Sequence, residues 1–103
     1  MFRMEFEEFG TSLTVRILGR FVGHFAEEAK QLIARRKVPE RLTVDISEMT
    51  FVDLNGEGAL TWLSAVGASF VAQNSYSLDV CDRLRLRLAQ GPVGRSRSQL
   101  LAD

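Results

Sequence analysis

The chain has 103 residues, 46% of them hydrophobic and 25% charged, and thirteen basic residues balance thirteen acidic ones. That is the length and composition of one globular domain spanning 1–103, large enough to bury about two-thirds of its unfolded surface without metal or disulfide support. The lone Cys81 excludes a disulfide scaffold, the absence of a roughly 20-residue apolar run excludes a membrane span, and the cancelled charge argues against a dedicated nucleic-acid binder.

Phe2, Met4 and Phe6 alternate with Arg3, Glu5 and Glu7, and Leu13, Val15 and Ile17 alternate with Ser12, Thr14 and Arg16. With Gly10 and Thr11 between them, the two runs predict a β-hairpin whose second strand ends at Gly19. A helical pattern follows over 24–36, with Phe25, Ala29, Leu32 and Ile33 on its apolar face. Glu27 and Glu28 are expected in its first turn and Arg35, Arg36 and Lys37 in its last, where each sign complements the helix dipole, and Pro39 prevents continuation.

Leu42, Val44 and Ile46 alternate with Thr43 and Asp45 to predict a third strand, and a loop leads to the turn around 51–56. The stripe Ala59, Trp62, Leu63, Val66 and Phe70 predicts a second helix with Trp62 buried, while Gly58, Ala65, Gly67 and Ala68 leave room for close packing. Asn74 and Ser75 interrupt that pattern, and the alternation of Tyr76, Leu78 and Val80 predicts a fourth strand, with Cys81 a small buried hydrophobe at its end. Between Arg83 and Leu88 the alternating Arg and Leu fit a strand, yet Leu84 and Leu88 also share a helix face. Residues 91–103 read as a short fraying tail, with one helical turn expected around Leu100. Arg83, Arg85, Arg87, Arg95 and Arg97 gather at this end, most simply as a solvated basic segment.

The expected order is β-β-α-β-α-β. Right-handed strand–helix–strand crossovers make the last three strands parallel, with the first antiparallel at an edge. The expected fold is α/β, a mixed four-stranded sheet with its helices mainly on one face.

No catalytic constellation is visible. His24, the single histidine, opens the first helix without a Ser or Cys partner beside it, and neither a phosphate loop nor a metal-ligand spacing is present. The expectation is therefore a non-enzyme without cofactor or metal. Asp45, Glu48, Asp53 and Glu57 cluster in sequence as caps and solvated acids. The segment Asp53, Leu54, Asn55, Gly56, Glu57 and Gly58 reads as a tight turn into a helix N-terminus, with Asp53 or Asn55 as cap and free N–H groups facing solvent.

The run from Leu42 to Leu60, LTVDISEMTFVDLNGEGAL, resembles the signature of STAS domains, in which a strand leads to a Phe-hydrophobic-Asp-Ser-x-Gly-x-Gly turn. Leu13 to Gly19 and Tyr76 to Val80 resemble neighbouring strands of that family, so the likeness spans about 13–81. It implies a STAS-like fold and a regulatory protein-interaction module of the anti-sigma-factor-antagonist type. The implied partner is an anti-sigma kinase-like protein or a scaffold, and the alternative is a soluble accessory subunit of a membrane transporter ATPase. In the family the Ser after the Asp is phosphorylated by a partner kinase. Leu54 stands there and has no hydroxyl, so the resemblance implies a degenerate phosphosite at an exposed docking turn formed by 53–58. Two departures weaken the transfer of other contacts: Gly19 is followed by Arg20, Phe21 and Val22 rather than polar residues, and a further strand and helix of relatives are missing. A cytoplasmic setting is the expectation from the unpaired Cys81 and from a first segment that does not read as a leader, and a homodimer is admitted through a sheet edge or face.

Overall fold

The structure, a computed structural model, describes residues 1–37 and 39–89. β1 (Phe2–Phe9) and β2 (Ser12–Phe21) form the expected hairpin, in register from Phe2 opposite Gly19 to Phe9 opposite Ser12. α1 (Gly23–Ala34) carries the chain back, and β3 (Arg41–Asp45) lies parallel to β2. β4 (Met49–Val52) pairs with the far end of β2, and α2 (Leu54–Ala65) leads to β5 (Ser69–Val71), parallel to β3. α3 (Ser75–Leu84) follows. The class is the expected α/β with a mixed sheet, but the described residues form five strands rather than four, in the order β1-β2-β3-β5 with β4 beside β2.

Alternation in the strands decides where the core lies. Leu13, Val15 and Ile17 of β2 and Leu42 and Val44 of β3 meet Ala26, Ala29 and Ile33 of α1, Leu60 and Leu63 of α2, and Val80 and Cys81 of α3 in one cluster. The opposite face is polar. There Arg16 lies 3.6 Å from Glu7 and 3.7 Å from Asp45, partly solvated pairs that contribute little to stability.

Several expectations need correction. Tyr76, Leu78 and Val80 belong to α3 and not to a strand: the buried positions are Ser77, Val80 and Cys81, a helical spacing, while Leu78 is exposed and the partly exposed Tyr76 accepts from the Val52 N–H through its hydroxyl at 2.9 Å. The helix forms because Asn74 caps it, accepting from the Ser77 N–H at 2.8 Å while Ser77 Oγ accepts from the Asn74 N–H. α2 ends at Ala65, so Phe70 is a buried strand residue of β5. Gly67 ends the helix at φ 106°, where its freedom lets the chain turn and the Ala68 N–H reach back to Leu63. Within α2, Trp62 is half-buried and Val66 exposed, because the sheet-facing stripe passes through Gly56, Ala59, Leu60 and Leu63.

Met49–Val52 is a strand where a loop was expected, since four residues with both ends buried show no alternation to read. β2 does not stop at Gly19 but shifts register there and continues to Phe21. In α1 the expected polar placement also fails. The helix starts at Gly23 without an acid in its first turn, ends before Arg35, buries Ala26 with Ala29 and Ile33, and leaves Leu32 exposed. Between Arg83 and Leu88 both periods are realised in succession: α3 ends, Arg85 takes a left-handed turn, and Leu88 bridges to Phe70. The expected tail 91–103, with Arg95 and Arg97, lies outside the described residues.

Candidate functional site

β4 delivers the chain to Asp53, whose extended backbone precedes α2. One carboxylate oxygen accepts from the Gly56 N–H at 2.9 Å, capping α2, and the other accepts from the Gly23 N–H at 3.0 Å, at the start of α1. Asp53 thereby joins two helix N-termini whose orphan donors it satisfies. α1 has no side-chain cap from its own Val22, which explains why it borrows one. The backbone bond from Gly56, reinforced by that from Gly23, holds the Asp53 carboxyl below the usual carboxylate range.

Gly56 is buried because α2 starts hard against β2. A Cβ there would collide with the Phe21 carbonyl oxygen and lie 2.5 Å from the Val52 side chain. Gly58 has open space at its Cβ position, so the close packing expected of Gly58 is found instead at Gly56. Glu57 turns towards α3 and accepts from Arg83 at 2.6 Å, a contact that raises the guanidinium pKa further. The acids clustered in sequence therefore separate in space: Asp45 accepts from the Ser47 N–H, Asp53 caps, and Glu57 pairs with Arg83.

Leu54 and Asn55 are what the bend offers to solvent, and Leu54 is 83% exposed. Phe51, just upstream, is also exposed, with the Arg20 guanidinium 4.9 Å above its ring. A cleft of about 470 Å³ separates α1 from α2, lined by His24, Glu27 and Lys30 on one side and Leu54, Asn55 and Gly58 on the other. The α1 side of this cleft was not legible in the sequence, because residues about thirty positions apart meet only once Asp53 ties the two helices together. His24 packs against Phe25 with ring centroids 4.4 Å apart. Cys81 is buried in α3, where desolvation pushes its thiol pKa up.

The structure of the anti-sigma-factor antagonist SpoIIAA, in its unphosphorylated form, superposes with a TM-score of 0.67 over 94% of this chain and 90% of that one, at 16% identity. The fold is STAS-like. The inward-facing murine Slc26a9 anion transporter matches 75% of this chain at a TM-score of 0.57 and 23% identity, where the chain spans 14% of the transporter's length. Neither a protein-family model nor a curated protein sequence matches the chain. The STAS-like chain has no helix, among the described residues, long and apolar enough to cross a membrane.

Proposed function

We propose that this chain is a non-catalytic regulatory module that binds a protein partner through the bend opening α2, in the manner of an anti-sigma-factor antagonist, without phosphorylation control at Leu54. One observation carries the reading: Leu54 stands 83% exposed on a helix start anchored by Asp53 and Gly56. An apolar side chain held in water on a rigid support is the form of an interface anchor, since little ordering entropy remains to be lost on binding. Exposed Phe51 extends the apolar surface, and Asn55 supplies polar groups beside it. The fold likeness to SpoIIAA supports an anti-sigma kinase-like or scaffold partner in the cytoplasm.

Leu54→Asp should weaken partner binding at least about tenfold while leaving stability within about 1 kcal/mol, because the site is solvated in the free chain. Calorimetric titration with an anti-sigma kinase and a thermal melt check the two halves, and unimpaired binding would sink the docking role. Phosphate incorporated at exposed Thr50 or Thr61 with loss of binding would instead overturn the unswitched reading.

The likeness to a transporter's domain favours a second reading, an accessory subunit on a transporter ATPase. Affinity capture separates the two, since recovery of a kinase-fold protein supports the first and recovery of an ATPase the second.

A further inference from the structure

The outer edge of β1 has no strand beside it among the described residues. The Arg20 N–H donates to the Met1 carbonyl at 2.8 Å. In the regular antiparallel register of the hairpin, that bond turns the peptide groups of odd-numbered β1 residues towards β2 and those of Phe2, Met4 and Phe6 outwards. The side chains of these three pack on the core yet stay half-buried, as expected at an edge that lacks a neighbour.

We propose that β1 pairs antiparallel with β1 of a second copy of this chain, about a two-fold axis at Met4, so that the two sheets become one. The charge pattern selects the register. Centring on Met4 sets Phe2 opposite Phe6 of the second copy on the core side, and Arg3 opposite Glu5 of the second copy on the other, each twice. Centring one residue earlier brings the two Arg3 side chains face to face. Centring one residue later opposes the two Glu5 side chains and sets Phe2 against Glu8. Both alternatives place like charges directly across the ladder, which destabilises it.

In the single chain Arg3 already lies 2.9 Å from Glu5 along the strand, so dimerisation exchanges one such contact within each copy for two between copies, and the pairing selects register rather than adding ion pairs. Above the same edge, α1 stacks Phe25 on Phe2 with ring centroids 5.1 Å apart and sets Arg36 4.3 Å over the Phe6 ring. Leu32 falls between Phe25 and Arg36 at helical spacing and is 46% exposed, so the two-fold axis at Met4 brings it towards its own copy.

Sedimentation analysis of the full chain tests the inference. The wild type should dimerise at about 100 μM, a concentration at which modest edge pairing is populated. Arg3→Glu alone and Glu5→Arg alone should each weaken the dimer at least about tenfold, and an equimolar mixture of the two should restore it, because an acidic strand then faces a basic one. Thermal melts establish that both variants fold. Independently of any variant, exchange of the Met4 and Phe6 amides should slow as wild-type concentration rises. A wild type that stays monomeric, single variants that dimerise unimpaired, or a mixture no better than its components would overturn the proposal.

Discussion

At Asp53 one carboxylate holds the first turns of both α1 and α2, and its protonation therefore bears on both helices. Its pKa is lowered in the folded chain, so its stabilisation is complete well above the unfolded value of about 3.9 and is lost as pH falls through the folded value. Asp53→Asn keeps one acceptor oxygen and turns an N–H₂ group at the other donor. The variant should melt lower at pH 7 and lose less stability than the wild type between pH 5 and 3, read from melts across that range. Parallel curves for the two proteins would show that Asp53 does not carry this acid sensitivity. The cap was legible in the sequence because an Asp before an apolar helix stripe is a local signal, whereas its second bond, to Gly23, depends on where α1 lands.

Among the elements, α3 shows how a short pattern misleads. Tyr76, Leu78 and Val80 alternate over five residues, too few to separate a strand from a helix, and the capping box at Asn74 and Ser77 decides the matter. Asn74→Ala should cost about 1 kcal/mol, since it removes the acceptor for the Ser77 N–H. Chemical denaturation measures that cost, and a helix content unchanged at equal stability would mean that packing alone holds α3. The boundary between α2 and β5 was hidden for another reason. Val66 and Phe70 are spaced as one helix face, yet Gly67 takes a positive φ between them and Phe70 is buried by β3 and by the bridge to Leu88.

For the whole molecule, one face of the sheet carries the core and the other an open array of charges. Arg16→Ala should shift stability by no more than about 0.5 kcal/mol, because its contacts to Glu7 and Asp45 are partly solvated. Calorimetric melts read the change, and a loss of several kcal/mol would show that the charged face contributes to folding after all. A charged face and a β1 edge open among the described residues are the two surfaces through which the sequence admitted a homodimer, and the complementary order of Arg3 and Glu5 is what makes the edge the proposed surface.

The sequence by itself determined the hairpin, α1, β3, the start of α2 and the α/β class, because each rests on periodicity or capping within a few residues. It also placed Leu54 on an exposed turn. Tertiary structure alone decided that β4 and β5 exist and that His24 and Lys30 face Leu54 across one cleft. The physical reason is that three- and four-residue strands acquire their hydrogen bonds from distant segments. Their formation depends on burial against β2 and β3, which no local pattern encodes.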